Sequence, residues 1–363
     1  MINNSISPAL QVNYLLDLTS KPISADSILQ ELTPPKHFDR SEFSNYIPEP
    51  QYPSQAHALH TANKFITDLQ KSSRSSGRTF NKIWKRKRTE GKGLYFDGGF
   101  GVGKTHLLAA AFHSFDGPKA YLSFQELMFL VGLQSLTRVA ESFKNFSLLV
   151  IDEFELDDPA NTRIATNLLG QLFGSGVSIL TSSNTPPGAL GEGKFSVEDF
   201  KRELGTLTKR FKIVKIDGMD YRVVHHLSET AGSTWISDNA GLEELLDSKV
   251  FSDKIIDMQF DEFLITIGKV HPMRIRRALG KLDAVILRDV EQITHPHEAL
   301  RFVYFIDKAY DNNLLLLVSS SVTIDDLFHR SYFAGGDTKK YLRTLSRLKE
   351  MTHSGYLAIN STD

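Results

Sequence analysis

The sequence predicts an α/β fold in which a parallel sheet is covered by helices. The first observation is a series of five short, mainly apolar segments, expected as strands, at residues 94–97, 120–124, 148–151, 177–181 and 211–216. The second is the series of helical segments near 105–115, 126–143, 162–173 and 197–208, after an initial helix at 54–69. Short apolar strands that alternate with helices are typical of a parallel sheet buried on both faces.

Three regions are expected along the chain. Residues 1–53 are interrupted by seven prolines and are expected to form an amino-terminal extension. Residues 54–230 contain the alternating strands and helices and are expected to form the α/β core. Residues 231–363 are expected to form a helical and mixed, lid-like region that completes the core.

The carboxyl-terminal region is less regular than the core. We expect a helix at 298–310, a strand at 314–319 and an amphipathic helix at 339–351, with Leu342, Leu345 and Leu348 facing inward. Two segments echo each other: LFGSGVSILTSSN, from Leu172, and AYDNNLLLLVSSS, from Ala309, each combine a helix end, a tight turn, an apolar strand and a polar tip. The echo predicts that the strand at 314–319 joins the core sheet, although helix-turn-strand units also resemble one another by chance.

Composition restricts the kinds of site that the chain can form. The 363 residues carry a net charge of −1 and contain no cysteine. Disulfides, thiolate metal sites and cysteine nucleophiles are therefore excluded, and the balance of charges indicates no polyanionic partner. The amino terminus lacks the basic start and apolar run of a secretory signal, and no apolar run approaches the roughly 20 residues of a membrane helix, so a cytoplasmic protein without a transmembrane segment is expected.

One segment departs from this even distribution of charge. Residues 71–92 contain nine Lys or Arg against a single acid, Glu90, with Phe80 and Trp84 among them. Such a stretch can bind nucleic acid or an anionic lipid surface. A solvated basic loop is the commoner explanation, so DNA is a partner that we do not favour.

The segment GGFGVGKT, from Gly98 to Thr105, matches the phosphate-binding loop pattern at every required position. It follows a predicted strand and precedes a predicted helix, which is the context that this loop requires. Its glycines let backbone amides turn toward the β-phosphate, Lys104 supplies charge to the β- and γ-phosphates, and the Thr105 hydroxyl binds Mg²⁺. The helix that follows directs its positive end at the nucleotide. We therefore predict that ATP is bound by Gly98, Gly99, Phe100, Gly101, Val102, Gly103, Lys104, Thr105 and His106.

The segment LLVIDE, residues 148–153, places two acids at the end of a buried strand. Asp152 is expected to hold Mg²⁺ through water, and Glu153 to polarise the attacking water as the catalytic base. A glutamate directly after the aspartate favours hydrolysis over nucleotide binding alone. The alternative is a strand that ends in a solvated acidic turn, which the pairing with the phosphate loop argues against. The α/β core at 54–230 is therefore expected to be a P-loop ATPase core.

Polar residues also end the fourth predicted strand. Thr181 to Asn184 read TSSN and are followed by two prolines. In a parallel sheet of this kind the end of this strand lies beside the γ-phosphate, so Asn184 is expected to orient the water or to sense that phosphate. The alternative is an asparagine that starts a turn before prolines.

An arginine is expected to complete the site, because such ATPases often take one from a neighbouring subunit. Arg202 and Arg210 lie just before the fifth predicted strand, where this arginine would emerge. Arg301, Arg343 and Arg347 lie in the carboxyl-terminal region and are candidates for a second arginine from the same chain. The sequence leaves the choice among them open, and Arg202 is our first candidate.

Together these motifs resemble the AAA+ arrangement of P-loop NTPases, and within it the chain resembles the ZapE family over residues 50–357. GLYFDGGFGVGKTHLL, IDEFELDD and LFGSGVSILTSSNTPP resemble the family's segments at the phosphate loop, the acidic strand end and Asn184. IDGMDYR (from Ile216), RFVYFIDKAYDNNLLLLVSS and RTLSRLKEM resemble segments that are specific to the family. Gln55 falls where the family has a glutamine ahead of the loop. Val102 stands where the family usually has arginine, and DFKRE, which contains Arg202, stands where it has a GLQR-type segment.

The ZapE family are bacterial cell-division ATPases, and the mitochondrial lactation-elevated-protein ATPases are their relatives. The resemblance implies hydrolysis of ATP with Mg²⁺ by a homo-oligomer. It also implies a partner, the tubulin homologue of the cell-division (Z) ring, and recruitment to the division site at the inner face of the membrane.

Two other functions stay open from the sequence. A DNA-associated replication or transposition loader would use the basic stretch 71–92, and its ATPase activity would be stimulated by DNA. A nucleotide-switched adaptor would bind ATP with little turnover, and Glu153 argues against it. A chaperone linked to proteolysis is a variant suggested by the mitochondrial relatives.

Overall fold

The chain divides into two compact units. A computed structural model of the chain describes residues 15, 29, 32–76, 90–154, 159–184, 205, 209–219, 233–247, 254–270, 272–334 and 337–360. The first unit is Ser24–Tyr221, and the second unit joins Met1–Ile23 to Arg222–Asp363. Each unit is built around its own sheet.

The first unit contains a five-stranded parallel sheet. Its strands are β1 (Gly93–Gly98), β2 (Lys119–Ser123), β3 (Leu148–Asp152), β4 (Ser178–Ser183) and β5 (Phe211–Ile216), in the sheet order β2-β3-β4-β1-β5. Every pairing in this sheet is parallel. The predicted α/β fold is therefore confirmed.

Helices alternate with these strands. They are α1 (Pro53–Ser76), α2 (Lys104–Ser114), α3 (Phe124–Gln134), α4 (Leu136–Phe143) and α5 (Pro159–Gly174), preceded by a short 3₁₀ turn at Lys36–Phe38. The single helix predicted at 126–143 is in fact two helices, because Ser135 adopts a φ of 126° and its hydroxyl accepts the amide of Arg138 to cap α4. The helix predicted at 197–208 lies, except for Gly205, outside the described residues.

The central strands β3 and β4 are buried along their whole length. Strands covered on both faces need apolar side chains at every position, which explains the run Leu148 to Ile151. The polar end of β4 is buried as well, with Thr181, Ser182 and Ser183 at most 2% exposed. Buried polar groups require partners, so the carboxyl edge of this sheet concentrates hydrogen bonds.

The second unit contains a separate four-stranded parallel sheet that the sequence did not predict. Its strands are β6 (Trp235–Ile236), β7 (Ile255–Gln259), β8 (Ala284–Val290) and β9 (Leu315–Ser320), in the order β6-β9-β8-β7. The prediction that the strand at 314–319 joins the core sheet is wrong, because β9 lies between β6 and β8. A local pattern of apolar residues identifies a strand but not its neighbours.

The helices of the second unit are α6 (Asn239–Asp247), α7 (Phe260–Gly268), α8 (Pro272–Leu279), α9 (Pro296–Asp311) and α10 (Thr338–Asn360), with short 3₁₀ turns at Ile324–Asp326 and Arg330–Ala334. The prediction that Leu342 faces inward is wrong, because its side chain is 54% exposed. The buried face of α10 instead follows Tyr341, Leu345 and Leu348 at helical spacing. Within the described parts of the chain, no helix combines the length and apolarity needed to cross a membrane.

Candidate nucleotide-binding site

The loop between β1 and α2 has the backbone form that phosphate binding needs. Gly101 and Gly103 have φ angles of 66° and 84°, in the left-handed region that favours glycine. A Cβ on Gly103 would lie 2.5 Å from the ring of Tyr46, so a larger residue does not fit. The first bond of α2 runs from the amide of Leu107 to the carbonyl of Gly103. The N–H groups before it have no acceptor inside the helix and form a ready site for an anion.

Tyr46 packs beneath this loop. Its hydroxyl donates to the carbonyl of Val102 at 3.1 Å, and burial, with a smaller effect of the Glu49 carboxylate, raises the pKa of Tyr46 to about 12. The His106 ring lies 5.5 Å from the Tyr46 ring and is hydrogen-bonded to the carbonyl of Glu42 at 3.0 Å. The His106 side chain thus faces the segment before α1, whereas the Val102 side chain lies near Gly98 and Gly218. The backbone amides are the groups that these two positions can offer to a nucleotide.

The side chain of Lys104 is buried, and its ammonium folds back over the loop. It donates to the carbonyls of Gly98 and Gly99 and, at 2.9 Å, to Oδ1 of Asn184. These three acceptors are uncharged oxygens that hold the ammonium beside the loop. The structure therefore brings Lys104 and Asn184, which the sequence predicts from separate motifs, to one place. Thr105 follows in the first turn of α2 and is half-buried.

Three donors hold the carboxylate of Asp152. The Tyr121 hydroxyl donates to Oδ2 at 2.8 Å, and both the Ser182 hydroxyl and the Glu153 amide, at 2.9 Å, donate to Oδ1. Asp152 and Tyr121 are only 7% and 3% exposed. Hydrogen bonds to a buried carboxylate reduce the cost of its desolvation and fix its orientation.

Glu153 directly follows β3 and has a strained backbone. Its φ is 51°, a left-handed conformation that residues other than glycine rarely adopt. The strained residue is held by a bond from its amide to the Ser182 hydroxyl at 3.3 Å, and Phe154 donates to the carbonyl of Ser182 at 2.7 Å. Such strain concentrates at active sites and persists only where the surroundings impose it. The half-buried Glu153 thus leaves the sheet beside Asp152.

A third acid at this edge, Asp97, was missed by the sequence analysis. It lies near the end of β1 and is 8% exposed. Burial raises the pKa of the Asp97 carboxyl, and the charges of Lys104 and Lys215 act in the opposite direction. The signal that could have identified it is its position, in a buried strand directly before the glycine loop. Tyr121 and Ser182, which hold Asp152, carried no comparable signal.

Gln55, which matches the family's glutamine, ties the start of α1 to the end of β5. Its Nε2 donates to the carbonyl of Asp217 at 3.1 Å, and its Oε1 accepts the amide of Glu49 at 2.8 Å. Ser54 adds a second link by accepting the amide of Asp217 at 2.9 Å. Gln55 is 3% exposed, and a Cβ on Gly218 would lie 2.6 Å from its amide nitrogen. The segment after β5 therefore packs closely on Gln55.

The predicted arginines lie in different surroundings. Arg202 lies outside the described residues. Arg210 precedes β5, is partly exposed, pairs with Glu90 at 3.2 Å and stacks over the ring of Phe173 at 5.7 Å. Arg301, in the second unit, donates to the carbonyl of Val270 at 2.8 Å.

Arg343 and Arg347 both pair with the carboxylate of Asp307 within the second unit. Asp307 is 6% exposed, so the two guanidinium groups offset the burial of its charge. Beside them, the hydroxyl of Tyr310 donates to Glu350 at 3.0 Å. This cluster unites the family-specific segments RFVYFIDKAYDNN and RTLSRLKEM. The structure thereby assigns both segments a structural task between α9 and α10.

Two other predicted features are incompletely described. Residues 77–89 of the basic stretch 71–92 lie outside the described residues. The same holds for Asp220, Tyr221 and Arg222 of the segment IDGMDYR. Both features therefore remain predictions from the sequence.

The edge formed by β1, β3 and β4 has the groups that a magnesium nucleotide needs. The loop amides and the Lys104 ammonium are donors for phosphate oxygens. Thr105 and Asp152 supply hydroxyl and carboxylate oxygens, the hard ligands that Mg²⁺ prefers, and Asp152 is already oriented by its three donors. The residues present therefore fit the metal and the nucleotide that the motifs predict.

Comparison with known proteins identifies a family and several relatives. The profile of the AFG1-like ATPase family matches residues 23–253 and 249–360 of the chain. The cell division protein ZapE of Escherichia coli K12 is 26% identical over 324 residues, which cover 77% of this chain and 83% of that protein. Lactation elevated protein 1 homolog B of Danio rerio is 26% identical over 223 residues, covering 54% of this chain and 44% of that protein.

Solved structures show a more distant likeness. Domain III of the Thermotoga maritima replication initiation protein DnaA is 17% identical with a TM-score of 0.36, over 66% of this chain and 85% of that chain. The DnaC helicase loader is 20% identical with a TM-score of 0.35, over 50% of this chain and 99% of that chain. Both TM-scores are below 0.5, so the assignment depends on the family profile, which extends over both units. The chain belongs to the AFG1-like ATPase family, and it is an ATPase.

Proposed function

We propose that the chain hydrolyses ATP with Mg²⁺ at the carboxyl edge of the first sheet and uses the energy to remodel the cell-division ring. The observation that supports this chemistry is that residues at the end of β4 bond both to the acidic motif at the end of β3 and to the lysine of the phosphate loop. Ser182 bonds to Asp152 and Glu153, and Asn184, two residues further on, bonds to the Lys104 ammonium. Membership of the AFG1-like ATPase family supports hydrolysis of ATP.

Lys104 and Asn184 together form a detector for the γ-phosphate. Lys104 binds the β- and γ-phosphates with the loop amides. The γ-phosphate is a stronger acceptor for the ammonium than the neutral oxygen of Asn184, because it is charged. Binding of the triphosphate therefore releases the Asn184 amide, which then contacts the γ-phosphate or the attacking water. The diphosphate lacks this group, so the bond between Lys104 and Asn184 is restored.

Glu153 is the catalytic base, and Asp152 and Thr105 hold the metal. The Glu153 carboxylate orients the attacking water and accepts its proton. The Tyr121 and Ser182 hydroxyls keep the Asp152 carboxylate aligned for its task. When bound, Mg²⁺ neutralises charge that develops on the phosphates.

An arginine from a neighbouring copy completes the site in a homo-oligomer. Arg202 and Arg210 precede β5, and the partial exposure of Arg210 is compatible with this task. Arg343 and Arg347 are engaged by the buried Asp307, which favours the arginines before β5. An arginine supplied in this way contributes about 10³–10⁵ to the rate in related NTPases.

The target is the tubulin homologue of the cell-division ring, at the inner face of the membrane. This part of the proposal is supported by the similarity to the cell division protein ZapE over 77% of the chain. ATPase activity that rises only when the division-ring protein is present is the signature of such a target.

The experiment compares the steady-state ATPase activity of the wild type and Glu153→Gln, alone, with the division-ring tubulin homologue, and with DNA. We expect the tubulin homologue to accelerate the wild type and Glu153→Gln to lower the rate by about 10²–10⁴-fold, because the base is lost. Binding of ATP by the variant should persist, since the phosphate loop is unchanged. Glu141→Gln is the matched control, because Glu141 is exposed on α4 and pairs only locally with Lys144.

Each other outcome redirects the proposal. Acceleration by DNA alone would replace the division-ring target with a DNA-associated loader. Very low turnover under every condition would favour a nucleotide-switched adaptor. A Glu153→Gln variant as active as the wild type would show that another group is the base.

A further inference from the structure

The sheets of the two units are connected in the same way. Strands β1 to β4 follow one another in the chain and lie in the order β1-β4-β3-β2, and strands β6 to β9 lie in the order β6-β9-β8-β7. Among the described residues of both units, one helix follows the first strand, two follow the second and one follows the third. The helices after the third strand, α5 and α9, each contain 16 residues and begin with proline.

The strand registers are also the same. The first residue of β2 pairs with the first of β3, Lys119 with Leu148, as Ile255 of β7 pairs with Ala284 of β8. The first residues of β3 and β4 pair, and so do those of β8 and β9. The fourth residue of β4 faces Tyr95, and the fourth of β9 faces Trp235. A shared order alone is common in α/β proteins, whereas a shared register at three strand pairs is far more specific.

The turns before β4 and β9 agree bond for bond. Gly176 and Asn313 occupy the left-handed region, with φ angles of 87° and 54°. Val177 donates to the carbonyl of Leu172 at 3.0 Å, and Leu314 donates to the carbonyl of Ala309 at 3.0 Å. These are the turns of the two echoing segments in the sequence, so the echo reflects a repeated structure.

The tips of β3 and β8 share the same backbone strain. Glu153 has a φ of 51° and its amide bonds to the hydroxyl of Ser182, the fifth residue of β4. Asp289 has a φ of 54° and its amide donates at 2.8 Å to the hydroxyl of Ser319, the fifth residue of β9. The catalytic edge of the first unit therefore has a structural counterpart in the second.

The phosphate-binding loop is missing from this counterpart. Phe96 pairs with Ser182, and seven residues separate it from Lys104, the first residue of α2. Ile236 pairs with Ser319, and only two residues separate it from Asn239, the first residue of α6. The second unit is thus five residues shorter here, the length of the segment Gly99 to Gly103.

The carboxylate of Asp238 occupies the start of α6. It accepts the amide of Gly241 at 2.7 Å, in the first turn of the helix. A negative group at a helix amino terminus binds the free amides and interacts well with the helix dipole. In the first unit the corresponding position is Gly103, and α2 has no side-chain cap.

The metal-binding position is replaced as well. Arg288 is the fifth residue of β8, where β3 has Asp152, and Asp257 is the third residue of β7, where β2 has Tyr121. The bond from Tyr121 to Asp152 becomes an ion pair, with two contacts of 2.6 and 2.8 Å between Arg288 and Asp257, and Glu243 adds a third contact at 2.6 Å. A guanidinium at this position repels a divalent cation.

The position that corresponds to Lys104 holds Asn239, which carries no charge. Asn239 begins α6, donates to Asp289 at 2.7 Å and accepts from Ser319 at 2.6 Å. The lysine that would hold the phosphates is therefore replaced by an amide that links a residue of β8 to a residue of β9.

We infer that the second unit is a second copy of the nucleotide-binding fold whose site is filled by its own side chains. Asp238 takes the place of the phosphates, and the pair of Arg288 and Asp257 takes the place of the metal and its ligand. Each chain therefore binds one nucleotide, and the second unit keeps its structure without one. The expectation of one nucleotide per chain rests on the proposed function of the first unit. The inference that side chains fill the corresponding site of the second unit does not depend on that function.

The first test measures binding of a fluorescent ATP analogue to the full chain in the presence of Mg²⁺. We expect one equivalent per chain and a loss of binding of more than about 100-fold in Lys104→Ala. A second equivalent, or one that persists in Lys104→Ala, would overturn the inference. If the wild type binds no analogue, the proposed function fails, and hydrogen exchange then decides the inference.

The second test measures hydrogen exchange of the full chain with and without ATP. ATP should slow exchange in peptides covering 93–106 and 148–154 and change it by less than twofold in peptides covering 235–247 and 284–290. Arg288→Ala should accelerate exchange in the latter two peptides by about tenfold, with or without ATP, because Asp257 loses its partner. The matched control is Lys340→Ala, which removes an exposed ion pair with Asp337 in the same unit.

ATP-dependent protection of 235–247 or 284–290 would show that the second edge binds nucleotide and would refute the inference. Unchanged exchange in Arg288→Ala would refute the stabilising role of the ion pair. If Arg288→Ala does not fold, hydrogen exchange of Asp238→Ala, which removes the cap of α6, replaces it. The comparison of the wild type with and without ATP requires no variant.

Discussion

Replacing Tyr121 with phenylalanine should weaken the proposed metal site without changing a residue that is proposed to contact the nucleotide. The change removes one hydroxyl, which donates to the buried Asp152 carboxylate at 2.8 Å. A hydrogen bond to a charged group contributes about 1.5–3 kcal/mol, and the ring of Tyr121 remains to fill the core. We therefore expect the free energy of unfolding of the first unit to fall by about 1.5–3 kcal/mol. Ser182 and the Glu153 amide still hold the other carboxylate oxygen, so Asp152 loses alignment but keeps partners.

The assay is a Mg²⁺ titration of ATPase activity, with urea denaturation of the same samples. Loss of a group that orients a metal ligand typically lowers metal affinity by about 10–100-fold, so half-maximal activity should require that much more Mg²⁺. The matched control is Tyr310→Phe, which removes a hydroxyl that donates to Glu350 at 3.0 Å in the second unit. It should lower stability and leave the Mg²⁺ dependence unchanged. An unchanged Mg²⁺ dependence in Tyr121→Phe would refute the positioning role of Tyr121.

Three further changes test other parts of the structure. Gly103→Ala should abolish binding of an ATP analogue, since its φ of 84° is strained for alanine and the new Cβ would lie 2.5 Å from the Tyr46 ring; Gly132→Ala, with open space around its Cβ, is the control. The stability of the wild type should decline as the pH rises from about 10 to 12, because the unfolded chain loses the Tyr46 proton first; Tyr46→Phe should show a smaller decline in pH-dependent unfolding. Asp307→Asn should lower the free energy of unfolding, measured in urea, by about 3–5 kcal/mol, because two partly buried arginines lose the charge of Asp307.

Each of these results has a clear opposite. Analogue binding by Gly103→Ala at wild-type affinity would show that the loop tolerates a side chain above Tyr46. Identical pH profiles for the wild type and Tyr46→Phe would mean that another group causes the alkaline decline. A neutral effect of Asp307→Asn would mean that its two arginines find other acceptors.

The phosphate loop and the first sheet were predictable because their signals are local. A glycine loop between a strand and a helix is recognisable from Gly98 to Thr105, since each residue type there meets a requirement of the backbone or the phosphates. Strands β1 to β4 were predicted for the same reason, because burial on both faces demands continuous apolar runs, whereas β5 contains the exposed Lys212 and Lys215. The prediction of one helix at 126–143 failed at Ser135, where a single positive φ divides it.

The second sheet was not predictable in this way. Its strands β7 and β8 contain Asp257 and Arg288, charged residues that interrupt the apolar runs. The two charges neutralise each other across neighbouring strands, a pairing that exists only in the folded chain. The resemblance between the segments at Leu172 and Ala309 corresponds to similar turns and strands in the two units. The prediction drawn from it, that β9 joins the first sheet, was wrong.

The family of the chain, the phosphate loop and the two acids at the end of β3 were predictable from residue types at short and regular spacing. The groups that surround them depend on the tertiary structure. Tyr46 supports the loop from a distant segment, Tyr121 and Ser182 orient Asp152, and Lys104 meets Asn184 only because β1 and β4 are neighbours. Contacts between residues far apart in the chain depend on strand order and register, and no local pattern of side chains encodes them.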